Sequence, residues 1–388
     1  MKPRIEAIVK PELLIWARDS AGFSIEEAAK KVPVTSDRLE KWEKGELNPT
    51  INQLRKLGGI YKRPLAVFYL PEPPEIFKPL RDFRKLPEEE KKRLSPELRF
   101  EIRKARYRRE TAIELYKLNE EAIPESELII KLTDNPEEIA KKIRELLGIT
   151  YLEQFSWVYP NQALNNWRAA LENIGVLVFQ ASKIRLKEMR GFSISDKPLP
   201  VIVVNVSDSY TARIFSMMHE FVHVLLKIGG LCDLKEKQLS HDERRTEIFC
   251  NHVAGAVLVS EAQLREEKIV INKGQKKEWD DAEIKFLANK YSVCQEVILR
   301  RLLITGYTTN DFYQEKRKYY QQIISKKPEK KGGFAPPDIL AVSSAGKHFI
   351  RLVLSSYYNN KITSSDVSDY LGVRLKHLSN IEDAVMEY

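Results

Sequence analysis

The chain has 388 residues, 43% of them hydrophobic, and 64 Lys and Arg against 55 Asp and Glu give a net charge of +9. That length supports two or three domains with cores of their own, and the moderate basic excess suits nucleic-acid contact without requiring it. Cys232, Cys250 and Cys294 are the three cysteines; they cannot all pair within one chain, which excludes a disulfide scaffold and leads to the expectation of a reducing, cytoplasmic setting. No apolar run reaches the roughly 18 residues of a membrane span, and Glu6, Lys10 and Glu12 break up the apolar stretch that a signal segment would need.

Residues 1–70 read as a string of short helices. Leu13, Leu14, Trp16 and Ala17 share one side of the first. Ser24 with Glu27 three residues on is a capping-box pattern, Pro33 stops that helix, and a further helix over "TSDRLEKWEKG" ends at Gly45. Ala28 and Ala29 allow two helices to cross closely, and Trp42 is placed in the core. The stretch "SIEEAAKKVPVTSDRLEKWEKGELNPTINQLRKL", with Trp42-Glu43-Lys44-Gly45 its most typical part, resembles an Xre/Cro-type helix-turn-helix. The resemblance implies a recognition helix in the major groove of double-stranded operator DNA, with Thr35, Ser36, Arg38 and Lys41 on its exposed face. Arg38 is suited to a guanine edge and Lys41 to a phosphate, while Asp37 counts against tight unspecific binding. A helical module for dimerisation or protein docking is the competing reading.

Residues 71–125 form a linker and a charged helix. "PEPPEIFKPL" is a linker by composition, and residues 78–110 carry 13 Lys and Arg against 7 Asp and Glu. A solvated connecting helix and a nucleic-acid contact are both open for this stretch. Residues 126–325 read as a mixed domain. "PEEIAKKIRELLGI" is helical with Ile139, Ile143, Leu146 and Leu147 on one face, "NWRAALENIG" is a helix ended by Gly175, and "VLVFQAS" and "LPVIVVNV" are strands. "LPVIVVNV" is expected to offer an edge strand to an extended peptide. Residues 326–338 are a second linker. Residues 339–388 form a small helical C-terminal module, with Thr363 or Ser364 capping "SDVSDYLG".

The strand pair leads into "FSMMHEFVHVLL", residues 215–226. His219 and His223, four apart, share a helix face and can reach one ion, and zinc takes imidazole nitrogens at about 2.0–2.1 Å in tetrahedral geometry. Glu220 points about 100° away, beside an activated water, which is the general-base position of a zinc hydrolase. Phe215, Met218, Val222, Leu225 and Leu226 make this helix largely buried, and buried imidazoles and a carboxylate need partners. The third protein ligand lies farther on. Glu247 shares the packing side of the next helix with Asn251, Ala254 and Leu258 and is the choice; Glu243 and His252 stand behind it, with Cys232 and His241 weaker alternatives.

The run from "GFSISDKPLPVIVVNV" through "HEFVH" to "ERRTEIFCNHVAGAVLVS" resembles the ImmA/IrrE family of zinc metallopeptidases over roughly residues 170–265. In that family a strand ending in Asn leads through an Arg- and Phe-bearing segment into HExxH, and the Glu ligand lies four residues before an Asn-x-x-Ala element, which maps onto Glu247, Asn251 and Ala254. Ser216 stands where Thr is usual, and "AGAVLVS" lacks the usual Met-Pro ending. The expected fold is multidomain and mainly α, with an α+β zincin-like peptidase core behind an N-terminal all-α helix-turn-helix bundle. The resemblance implies a Zn2+ enzyme that cleaves a protein substrate, a repressor, in a stress or mobile-element response; a homodimer is a further expectation. The alternative is a transcription regulator or antitoxin whose peptidase-like domain only senses metal or binds a partner.

Overall fold

The computed structural model describes residues 5–74, 81–82, 94–228, 230–232, 241–274, 276–326 and 335–386. Cys232 and His241 flank a gap in that description, and both linker segments fall largely outside it. Two compact units emerge, Met1–Pro79 with Leu86–Arg106, and Leu80–Lys85 with Tyr107–Tyr388.

The first unit packs α1 (Pro11–Ala21), α2 (Ile25–Lys31), α3 (Ser36–Glu43) and α4 (Ile51–Tyr61), followed by a 3-10 turn over Leu65–Tyr69. Ser24 and Glu27 form the expected capping box on α2, Thr35 caps α3, and Thr50 with Gln53 forms a second box on α4. Ala28 and Ala29 are buried where α2 meets α3, and Trp42 fills the core with Leu39, Leu54 and Phe68. Beneath these lies an ion pair that no periodicity shows. Arg18 of α1 grips Glu43 of α3 through two parallel bonds, Nε to Oε1 at 2.7 Å and Nη2 to Oε2 at 2.9 Å, with both side chains buried. The fork geometry fixes the attitude of α3 on α1.

The charged stretch becomes α5 (Pro96–Leu118). Its arginines turn inward rather than outward to water. Within the first unit Arg99 donates to the Asp19 carbonyl, and Arg103 donates to the carbonyls of Tyr61 and Lys62 at the C-terminal end of α4. A cation there complements the helix dipole. Burial, reinforced by the nearby Arg63, lowers the Arg103 pKa to about 10. Within the second unit Arg108 donates to Ser344, and Arg109 donates to the carbonyls of Pro198 and Leu199.

The second unit lays helices against a mixed sheet in the order β1-β5-β3-β4-β2. The strands are β1 (Arg81–Asp82), β2 (Leu177–Ala181), β3 (Gly191–Ile194), β4 (Val201–Asn205) and β5 (Gly230–Cys232). β2 and β4 run parallel, and β3 runs antiparallel to both β4 and β5. The stretch "LPVIVVNV" supplies β4, but β4 is hydrogen-bonded on both sides. It therefore has no edge to offer a peptide, and its continuous burial is that of a central strand. The helices of this unit begin with α6 (Pro136–Leu147), α7 (Tyr151–Ser156), α8 (Pro160–Asn173), α9 (Tyr210–Leu225) and α10 (His241–Leu258), α10 packing on both α6 and α9, followed by α11 (Glu261–Arg265), α12 (Lys268–Lys273), α13 (Asp281–Lys290), α14 (Gln295–Ile304) and α15 (Asn310–Lys326). Four more helices, α16 (Pro337–Ala345), α17 (Lys347–Tyr358), α18 (Ser364–Leu371) and α19 (Leu378–Met386), complete the unit. α16 packs on β2, and Thr363 with Asp366 forms a capping box on α18. Among the described residues no helix is long and apolar enough to cross a membrane.

Candidate metal centre

α9 begins where Ser209 caps it, its hydroxyl accepting from the Ala212 backbone N–H at 3.2 Å. Every residue from Arg213 to Leu225 is then buried, because α9 is sandwiched between the sheet on one side and α8 and α10 on the others. Polar side chains on such a helix must find fixed partners. Asn205, at the end of β4, donates to the carbonyls of Ile184 and Met189 at 2.9 Å each, holding the chain that leads into β3. Arg213 donates to Gln180 of β2.

The helical spacing stacks His219 over His223, and α10 brings Glu247 against both. His219 Nε2 lies 3.2 Å from Glu247 Oε2, His223 Nε2 lies 3.1 Å from Glu247 Oε1, and the two Nε2 atoms are 3.1 Å apart. This is the cluster of three metal-ligating side chains found among the described residues, and all three are buried. Burial, the largest influence, acts to raise the Glu247 pKa, but the two imidazoles facing the carboxylate hold it well below the usual carboxylate range.

The three donor atoms suit a metal by kind and by spacing. Two imidazole nitrogens and one carboxylate oxygen form a common hydrolytic zinc set, and bonds of about 2.0–2.1 Å at tetrahedral angles place neighbouring ligand atoms about 3.3 Å apart. The closest approaches, 3.1 to 3.2 Å, lie near that figure, with the two imidazoles facing different oxygens of Glu247, and one donor atom from each residue lies within 4.8 Å of the other two.

Glu220 sits beside the cluster and points toward β3. Its Oε2 accepts a hydrogen bond from Ser193 Oγ at 2.9 Å, and both side chains are fully buried. Gly191, two residues earlier, lets the strand pass close, since a Cβ there would lie 3.1 Å from Glu220 Cγ and 3.2 Å from its Oε1. Neither Ser193 nor Gly191 stood out in the sequence. The available signal was one hydroxyl within an otherwise apolar, fully buried strand.

The other third-ligand candidates go elsewhere. His252 faces α6, its Nε2 3.1 Å from Glu137 Oε1, which also receives Arg301 Nη2 at 2.7 Å. His241 is exposed beside Asp242. Glu243 is half-buried one turn before Glu247 and outside the cluster. The Cys232 side chain lies outside the described residues.

On α3, Thr35 spends its hydroxyl as the cap, accepting from the Arg38 N–H. Ser36 is half-buried. Arg38 is exposed and lies over the Trp42 ring at 5.9 Å. Lys41 pairs with Asp37 one turn back at 2.9 Å. An exposed pair of this kind is weak and open to competition by a phosphate.

A HExxH helix under a mixed sheet, met by a carboxylate from the following helix, defines a metallopeptidase-like domain. Residues 171–303 match the family described as the IrrE N-terminal-like domain, a peptidase family, and residues 14–68 match the helix-turn-helix family. The chain thus joins an IrrE-like, peptidase-family domain to an N-terminal helix-turn-helix domain, the organisation of a DNA-binding regulator. No curated protein matches it.

Proposed function

We propose that this protein is a DNA-binding regulatory zinc metallopeptidase that cleaves a transcriptional repressor or related regulatory protein in a stress or mobile-element response. The reading is carried by the convergence of His219, His223 and Glu247, one donor atom from each lying within 4.8 Å of the others, with Glu220 next to His219 on the same helix. His219, His223 and Glu247 would hold the ion. When bound, zinc supplies Lewis acidity toward a peptide carbonyl and a water molecule. Glu220, oriented by the Ser193 hydroxyl, takes the proton from the attacking water and returns it to the leaving amine. The buried walls of α9 and β3 exclude bulk water from that exchange. The helix-turn-helix unit holds the protein at an operator, with Arg38 and Lys41 as the contacts of α3.

Metal analysis and a cleavage assay test this together. Purified protein should carry about one zinc per chain, and His219→Ala or His223→Ala should remove it. Glu220→Gln should retain zinc and lose proteolysis, because Gln fills the same space and cannot accept the proton. Full metal content in either His variant, or equal cleavage by Glu220→Gln, defeats the proposal.

A further inference from the structure

Two buried polar atoms of α9 and α10 have no hydrogen-bond partner among the described residues: Nδ1 of His219 and Oδ1 of Asn251. Both side chains are only 2% exposed, so surface water does not serve them. Native interiors keep few such atoms, because each costs about 1–3 kcal/mol. The two are complementary in kind. An imidazole whose Nε2 faces a metal carries its proton on Nδ1 and donates from there, and an amide oxygen only accepts.

The packing of α10 on α9 brings them to one level. Glu247 meets His219 and His223, whereas Gly255, farther along α10, lines one small cleft with Ala212, Phe215 and Ser216, toward the start of α9. The two helices therefore run antiparallel where they touch. Asn251 stands four residues after Glu247 and four before Gly255, so the three share one side of α10. At about 1.5 Å of rise per residue, Asn251 lies about 6 Å beyond Glu247, opposite the turn from Phe215 to His219. Side chains on a helix lean toward its N-terminus. In an antiparallel pair, His219 and Asn251 thus each lean toward the level of the other. No bond joins them in this structure, and forming one takes side-chain rotation between helices already packed together. The neighbours of Asn251 on α10 do not suit the part. The Cys250 sulfur is a weak acceptor, and His252 faces Glu137 on α6.

We infer that Asn251 accepts from His219 Nδ1–H in the metal-loaded protein, as a positioning residue that fixes the tautomer and the turn of that imidazole. The inference rests on the metal reading above and adds to it the support of one ligand. Support of this kind behind a ligating histidine is worth about 10- to 100-fold in metal affinity.

The test uses the full chain, stripped of metal and titrated with zinc in competition with a chromogenic chelator. Asn251→Leu, of similar size but without the acceptor, should bind zinc about 10- to 100-fold more weakly than the wild type. Asn251→Asp keeps the oxygen, adds charge to it, and should bind zinc at least as tightly. A residue needed only for packing gives the opposite order, since leucine suits a buried place and an added carboxylate does not. Proton–nitrogen correlation spectra of histidine-labelled, zinc-loaded protein report the Nδ1–H groups of the ligand imidazoles. One of these signals should move downfield in Asn251→Asp, where the acceptor becomes anionic, and this readout serves if the leucine variant fails to fold. Wild-type zinc affinity in Asn251→Leu, or ligand Nδ1–H signals all unmoved in Asn251→Asp, overturns the inference and leaves the metal reading standing. No zinc uptake by the wild-type chain defeats the metal reading, and the inference with it.

Discussion

Gly191 illustrates how one missing side chain sets the position of another. β3 passes so close to Glu220 that a methyl group would stand 3.1 Å from its Cγ, 3.2 Å from its Oε1 and 3.2 Å from the Val203 carbonyl. The neighbours are a buried carboxylate and a central strand, so neither yields freely. Gly191→Ala should therefore displace Glu220 while leaving the three proposed metal ligands in place. The expected outcome is zinc content near wild type with cleavage slowed about ten- to a hundredfold, the usual cost of moving a catalytic group by a fraction of an ångström to an ångström. Steady-state cleavage and metal analysis on the same preparation check it, and an unimpaired rate would show that Glu220 tolerates displacement. The meeting of His219 and His223 was legible in the sequence because spacing four apart is a property of the helix alone. Glu247 was legible through its phase on α10, which put it on the packing side with Asn251 and Ala254. Ser193 and Gly191 were not, because their role depends on which strand passes over α9, and no local pattern carries that.

Among the elements, α3 shows the same division. Its caps, its buried Trp42 and its ends follow from local chemistry and could be read directly. Its attitude could not, because Arg18 and Glu43 lie 25 residues apart and neither looks unusual where it stands. Removing one partner of a buried, doubly bonded ion pair leaves the other charge stranded. Arg18→Ala should destabilise the helix-turn-helix unit by about 3–5 kcal/mol and abolish DNA binding with it. Arg38→Ala, at an exposed position, should change stability by no more than about 0.5 kcal/mol yet weaken operator binding by about 1–3 kcal/mol. Thermal unfolding and salt-controlled DNA titration separate the two, and loss of stability in Arg38→Ala would place that side chain in the fold rather than at a DNA surface. The strand "LPVIVVNV" marks where sequence reading went wrong. A run of β-branched residues identifies a strand, but only the register of β3 and β2 on either side shows that it is interior.

At the scale of the molecule, Glu137 ties separate helices of the peptidase-family unit. It starts α6, bonds His252 of α10 and Arg301 of α14, and accepts from the Glu261 backbone N–H at the start of α11. Burial acts to raise its pKa, but His252 and Arg301 bring it down to about 2. A carboxyl depressed in the folded state contributes stability above its unfolded value near 4.5, and that contribution is lost as the pH falls from about 4.5 toward 2. For a shift of this size the contribution is of order 3 kcal/mol. Glu137→Gln should lower stability at pH 7 and flatten its acid dependence below pH 4.5, read from urea unfolding at a series of pH values. An acid limb as steep as the wild type's would mean that other carboxylates control it.

The helices after the second linker read as a small module of their own by composition, yet one carbonyl on α16 joins them to the centre of the unit. The Ser343 carbonyl accepts from both Arg168 of α8 and Gln180 of β2, and Gln180 in turn holds Arg213 of α9, the helix that carries His219 and His223. Evolution by recombination treats composition breaks as joints, but this joint is not free to be exchanged. A chain that swapped its last fifty residues for an unrelated ending would inherit two buried donors without an acceptor, so this ending and the peptidase-like core must be inherited together.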